Sequence, residues 1–318
     1  MQRESRELWH VQLRNGALAG LLKSASLESM SDYSDSTLII AGHGSTVNAE
    51  SSLPTYQHCE AIRSLGIFSR VIPCFWKEEP ALSGALRGAH TPRVFIVPLF
   101  ISEGYFTEEV IPREMGFVMR DKAVVDRVEK RGGQTIHYCG PVGTHHSMTE
   151  LLKNRAMSTL DQFPFPSRPA DSSVTLFIAG HGTGNNTNSR KAIEEQVDII
   201  RRENIYHNVH AIFMEEDPMI KECYNLSGTR NIVVVPFFIS DGLHSFEDIP
   251  VMLGEKEKIV RERYNSGMPT WRNPTEMHGK RVWYTPSIGN EPGMVDVILE
   301  RVREAEDMAR EPMIAQVP

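Results

Sequence analysis

Val97-Pro-Leu-Phe-Ile-Ser102 returns later in the chain as Val235-Pro-Phe-Phe-Ile-Ser240, and Ile40-Ala-Gly-His43-Gly44 returns as Ile178-Ala-Gly-His181-Gly182. Both pairs stand 138 residues apart (235 − 97 and 178 − 40). The same offset carries Phe75 to Phe213, Glu79-Pro80 to Asp217-Pro218, Gly104 to Gly242 and Ile111-Pro112 to Ile249-Pro250. Register kept over so much chain means that a whole folding unit is duplicated, since stacked solenoid repeats run only about 20 to 50 residues. Tyr138–Gly143 matches Tyr284–Gly289 at an offset of 146, which places an eight-residue gain of the second copy around Tyr264–Lys280.

Within each copy apolar β-rich runs alternate with helical spacing. Val174–Ala179 reads as a strand, and Ala192, Ile193, Val197 and Ile200 then recur at helical intervals. Val209–Phe213 is the next strand, followed by a short helix near Met219–Asn225, the run Ile232–Ile239, Arg281–Tyr284 and a final helix near Met294–Met308. Such alternation predicts an α/β fold: two tandem domains, each an open, mostly parallel sheet with helices on both faces. Strands buried on both sides explain the continuous apolar runs. Pro98 and Pro236 remove a ladder donor, so the strands should stop pairing or bulge there. The expected organisation is an N-terminal extension over residues 1–35, a first domain over 36–162, a Pro- and Ser-rich linker over 163–173 and a second domain over 174–318. In the extension, Trp9, Leu13, Ala17 and Leu21 share one helical face, which suits docking or a homodimer contact.

Composition narrows the function. Of 318 residues, 34 are Lys or Arg and 41 Asp or Glu, a net charge of −7, so the overall field repels nucleic acid and anionic membranes. The longest apolar runs are interrupted by proline and fall far short of the ~20 residues that span a bilayer. The N-terminus lacks the apolar block of a secretory signal, and the expectation is a cytoplasmic protein. Cys59, Cys74, Cys139 and Cys223 are widely spaced, against a thiolate-built zinc or iron–sulfur site. No phosphate-binding glycine loop occurs, so the chemistry should need no nucleotide. Gly42-His43-Gly44 lacks the arginine that a histidine phosphatase would use to hold a phosphoryl group.

In a parallel sheet the residues after several strands gather on one rim. His181 follows the first strand of the second copy, Glu215 ends the second, and His244 lies in the loop after the third. Two imidazoles and a carboxylate sharing one cleft can bind and release a divalent metal, and all three are candidate catalytic and metal-holding groups. The first copy carries His43, Lys77 and Phe106 at the same positions, so only the second keeps the set. Glu216 and Asp217 are rivals beside Glu215, and Glu247 and Asp248 read as caps of the helix that follows. His145, His146, His207 and His210 read as surface residues.

A strand followed by Gly-His-Gly, a later Phe-x-Glu with Pro beyond it, and Val-Pro-Phe-Phe-Ile-Ser-x-Gly-x-His-x-x-x-Asp-Ile-Pro together resemble the sirohydrochlorin chelatases, small class II enzymes that insert cobalt or iron into a precorrin-derived tetrapyrrole. The resemblance covers nearly the whole chain after residue 35, once per copy. It implies two similar α/β domains facing each other across a cleft, a metal held by His181 and His244, and Glu215 assisting. It implies a lyase whose substrates are a tetrapyrrole and a divalent metal, Co²⁺ or Fe²⁺, with Ni²⁺ a further alternative. Tyr105 and Phe106 would then pack on the macrocycle, and Lys77, Arg113 or helix N-termini would meet its carboxylates. The alternative is a non-catalytic metal- or tetrapyrrole-binding protein, suggested by the degenerate first copy.

Overall fold

The computed structural model describes residues 33–121, 123–124, 126–182 and 187–310; the helix expected around Trp9–Leu21 lies outside the described residues. The first copy contributes β1 (Tyr33–Gly42), β2 (Phe68–Phe75), β3 (Arg93–Pro98), a two-residue hairpin β4 (Met119–Arg120) and β5 (Ala123–Val124), then β6 (Val128–Arg131) and β7 (Gln134–Tyr138). The second contributes β8 (Val174–Gly180), β9 (Asn208–Phe213), β10 (Asn231–Pro236), β11 (Thr275–Met277) and β12 (Lys280–Tyr284). Sheet order is β2-β1-β3-β7-β6 in one and β9-β8-β10-β12-β11 in the other, the same topology twice. Pairing is parallel except at the last, edge strand of each sheet. β3 and β10 end at Pro98 and Pro236, where the next ladder donor is missing.

The longer helices are α1 (Leu53–Leu65), α2 (Met148–Gln162), α3 (Thr187–Arg202), α4 (Glu257–Asn265) and α5 (Met294–Arg310). α1 carries proline in its first turn and stops at Gly66, whose left-handed φ of 68° lets its N–H reach the Arg63 carbonyl. In α3 the buried residues Ala192, Ile193, Gln196, Val197 and Ile200 form one stripe against the sheet. The gain of the second copy begins earlier than Tyr264–Lys280: α4 stands where the first copy has only the β4–β5 hairpin. The shift from one offset to the other merely bounded the insertion between Pro250 and Tyr284.

The final helices are exchanged. α2, from the first copy, lies on β10, β12 and α3, whereas α5, from the second, lies on β3, β7 and α1. Alternation along the strands does the rest: Leu38 and Ile40 point into one apolar cluster shared with Leu176, Ile178, Leu152 and Ile298. Ile39 and Ala41 point the other way, into a cluster confined to the first copy, and Phe177 and Ala179 into its counterpart in the second. The two repeats in sequence are therefore interpenetrating bodies with a common core. His58 of α1, fully buried, donates its Nε2 proton to the Gly289 carbonyl across that junction at 2.6 Å. All four cysteines are free and buried, packed as small apolar side chains.

Candidate functional site

β1 and β8 end in glycine, and the next residue is His43 in one copy and His181 in the other. The glycine after each histidine, Gly44 or Gly182, has φ of 68° or 69°. A Cβ on Gly182 would stand 2.7 Å from Glu216 Cγ and 3.0 Å from Phe213 Cβ, so only glycine serves there. That turn brings the histidine Nδ1 back to the adjacent carbonyl, at 2.8 Å in the first copy and 2.9 Å in the second. The backbone of Lys77 and of Glu215 then bonds the His43 and His181 carbonyls, each at 3.0 Å, so the two rims share one scaffold.

On the second rim His181 and His244 meet, with ring centroids 5.1 Å apart and planes at 84°. His244 is the first residue of a π-helical turn, His244–Asp248, and not part of an irregular loop. Its Nδ1 lies 2.7 Å from Asp248 Oδ2. Since both Nδ1 atoms are engaged, each ring keeps Nε2, which has no hydrogen-bond partner among the described residues. Glu215 Oε2 stands 3.6 Å from His181 Nδ1, the nitrogen that already faces the Gly182 carbonyl. Two imidazoles thus converge while the carboxylate approaches from behind one of them. Among the described residues no three His, Cys, Asp or Glu side chains are gathered into a ready-made metal cage.

Both histidines line a cleft of about 490 Å³ between the copies, a volume within the roughly 300–1,000 Å³ of small-molecule sites. The opposite wall comes from the first copy: His43, Phe100, Tyr105 and Phe106, with Phe237 and Phe238 deeper in the second. Phe106 is the hub of that wall, packed edge-on to His43 and Trp76 at 5.0 Å each and stacked on Phe100 at 5.7 Å. Tyr105, half exposed, extends it. Lys77 and Glu215 do not line the cleft; the Lys77 ammonium lies 3.5 Å over the Trp76 ring, a cation–π contact that draws it away from the opening. Arg113 is occupied by Glu109 and Glu114 at 3.4 and 3.3 Å.

The segment that carries His244 is anchored from within. The Asp241 carboxylate accepts from the Ser287 N–H at 2.8 Å and from the Asn290 amide at 3.4 Å. Burial pushes its pKa up, opposed by hydrogen bonding from Ser287 and by Arg155. Asp248 is the residue that sequence reasoning missed. It does not cap the following helix, because its side chain makes no cap hydrogen bond. The legible signal was the i, i+4 spacing of His244 and Asp248 beside Phe106 and Val110, where both members are apolar. Glu216 is held by Arg190 at 3.2 Å, and Glu247 is an ion-pair partner of Arg261 at 4.0 Å. His145 is not a surface residue: it is buried, with Nε2 3.2 Å from Glu304, whose carboxyl that histidine helps hold down to about 2.

The fold and the paired strand-end histidines invite comparison with known proteins. The CbiX family model matches twice, over residues 37–159 and 175–305. The chain belongs to the CbiX family. A Halobacterium salinarum protein named probable sirohydrochlorin cobaltochelatase is 42% identical over 282 residues, covering 84% of this chain and 91% of that one. A solved Deinococcus radiodurans structure, described as multi-domain with similarity to chelatases and two additional novel domains, superposes with a TM-score of 0.68 at 26% identity. It is matched over 85% of this chain, which spans 55% of its length. SirB from Bacillus subtilis, solved with Fe³⁺, superposes at 0.60 with 16% identity over 86% of this chain and 98% of its own, a likeness of fold.

Proposed function

We propose that this CbiX-family chain inserts a divalent metal, cobalt first and ferrous iron as the alternative, into sirohydrochlorin. The observation that carries the reading is the pair of imidazoles, 5.1 Å apart, opening onto a cleft whose facing wall is aromatic. The name of the 42%-identical Halobacterium relative supports both substrate and metal.

The chemistry suits these groups. Metalation exchanges two pyrrole N–H protons for one dication, so the site must offer an ion, hold a flat ring and take up protons. Neutral imidazole binds late first-row dications, and two such ligands leave most of the ion's coordination sphere open for pyrrole nitrogens. His181 and His244 deliver the ion by Nε2. Phe106 and Tyr105 meet the face of the macrocycle, where aromatic contact is worth roughly 0.5–1.5 kcal/mol beyond area burial. Glu215 stands behind His181 to balance the charge of an imidazolium as protons leave the ring. Lys77 reaches a tetrapyrrole carboxylate only by leaving Trp76. As parts of the same proposal, the first copy supplies no metal ligand, no nucleotide is consumed, nickel is a further metal the imidazole pair could take, and the reaction runs in the cytoplasm with no nucleic-acid or membrane partner.

Purified chain mixed with sirohydrochlorin and Co²⁺ should change the absorbance spectrum over many turnovers, faster than buffer and without ATP. Stoichiometric binding with no excess rate would replace the enzyme by a non-catalytic metal- or tetrapyrrole-binding protein.

A further inference from the structure

We propose that Asp248 is a positioning residue that locks His244 in the Nδ1–H tautomer, making His244 the stronger of the two metal-binding imidazoles. The inference rests on the chelatase reading of the site and adds a division of labour within it. A carboxylate only accepts, so the 2.7 Å contact makes Nδ1 the donor and leaves the Nε2 lone pair for the ion. His181 reaches the same tautomer through the neutral Gly182 carbonyl at 2.9 Å. An anionic acceptor strengthens the hydrogen bond and raises the basicity of the opposite nitrogen, as in carboxylate–histidine–metal arrangements. Glu215 Oε2 stands 3.6 Å from His181 Nδ1, beyond hydrogen-bond length, so the two imidazoles are unequal in their acceptor: a carboxylate at His244 and a peptide carbonyl at His181.

Three further observations favour this role over a structural one. The short helix Ile249–Met252 takes no cap from the Asp248 side chain. Its counterpart, Ile111–Glu114, forms equally well behind Val110, so the fold does not require a carboxylate there. The first copy has neither partner, with Phe106 in place of the histidine and Val110 in place of the aspartate, yet it forms a π-helical turn over Tyr105–Val110. A pair present together in one copy and absent together from the other, on a similar π-helical turn, acts as a unit.

The test uses the full chain and Co²⁺ alone, followed by the metalation assay. Titration calorimetry should show Asp248→Asn binding Co²⁺ about 10-fold more weakly than the parent, within the 10–100-fold typical of groups that orient metal-binding histidines. Asp248→Ala should lose as much or more, and the KM for Co²⁺ should rise by a larger factor than kcat falls. In metal-free protein, ¹⁵N–¹H spectra should show the His244 resonances as the Nδ1–H form, identified by their disappearance in His244→Ala. The Asp248→Asn spectrum should move toward the mixed tautomer. Unchanged Co²⁺ affinity in both Asp248 variants, or an Nε2–H tautomer in the parent, overturns the proposal. If His244→Ala binds Co²⁺ like the parent, the proposal and the metal-site reading fall together. If the Asp248 effects appear in a chain that never turns over, the positioning role stands and the catalytic reading alone falls.

Discussion

At matching rim positions the first copy carries His43, Trp76, Lys77, Phe106 and Val110, and the second carries His181, Met214, Glu215, His244 and Asp248. The backbone beneath them is the same. The Lys77 and Glu215 N–H groups bond the preceding histidine carbonyls at 3.0 Å in both, and a π-helical turn follows the third strand in both. What differs is the chemistry projected into the cleft: aromatic rings around a single imidazole on one side, and on the other a pair of imidazoles, one of them hydrogen-bonded to a carboxylate. On the function proposed above, the duplicated walls divide the work: one meets the face of the macrocycle and the other holds the ion. The first wall keeps one imidazole, His43, packed between Trp76 and Phe106, with Phe106 standing where the second wall has its other imidazole.

The largest expected effect separates the histidines. His181→Ala and His244→Ala should each lower the metalation rate over background by at least about 100-fold, since losing a ligand exceeds the 10–100-fold cost of losing its orienter. His43→Ala should change it less than about fivefold, because the aromatic partners of His43 leave it no second donor. Initial rates for the three variants decide the matter. If the His43 variant were the dead one, the two walls would exchange roles.

Much of the comparison is legible in the sequence. A constant offset fixes which residues are equivalent, and strand alternation places the equivalents on one rim; hence His181, His244 and Phe106 fall where a parallel sheet must put them. What could not be read has a common physical cause: it depends on contacts between elements that share no periodicity. Nothing in α2 or α5 announces that each lies on the other copy's sheet, because an amphipathic stripe specifies an apolar partner without naming it. The burial of His58 and His145, which face those exchanged elements, was hidden for the same reason. No periodicity shows that Trp76 lies beneath the Lys77 ammonium. Nor does the helix-cap position of Asp248 show that its carboxylate bonds His244.

The second prediction tests whether the copies fold as one body. Burial pulls the His58 pKa down from 6.5 to about 4, with the bond to Gly289 opposing the shift. The folded state holds this ring neutral while the unfolded chain protonates near pH 6.5, so its stability contribution is intact above pH 6.5 and is lost as pH falls toward 4. The gap corresponds to on the order of 3 kcal/mol. His58→Gln keeps a donor for the Gly289 carbonyl but cannot titrate. Urea unfolding at pH 7 and pH 4 should show the stability difference between parent and variant shifting by about that amount in the variant's favour. A constant difference would mean that the junction opens before the rest unfolds.

Next comes the aromatic wall. Phe106→Ala should raise the KM for sirohydrochlorin about tenfold, equivalent to about 1.4 kcal/mol, and leave Co²⁺ affinity measured without tetrapyrrole unchanged. Tyr105→Ala, at the half-exposed end of the wall, should have a smaller effect of the same kind. A fall in Co²⁺ affinity in either variant would erase the distinction between the walls.

The smallest effect concerns the part that duplication left alone. In each copy a fully buried threonine meets a second threonine across the sheet's lower end: Thr37 with Thr91 at 2.8 Å and Thr175 with Thr229 at 2.9 Å. The second threonine of each pair donates to the backbone, at Arg93 or Asn231, so the buried one must be the donor between the two hydroxyls. Replacing it by valine preserves shape and removes one buried hydrogen bond, a loss of about 1 kcal/mol. Thr37→Val and Thr175→Val should therefore cost nearly the same, within about 0.5 kcal/mol in urea unfolding. Ser227 Oγ, 3.4 Å from Thr229 Oγ1, offers little relief in the second copy because it already donates to the Thr229 carbonyl at 2.9 Å. Equal costs here, beside a 100-fold asymmetry at the histidines, would locate the divergence of the copies at the rim; unequal costs would mean that it had reached the scaffold as well.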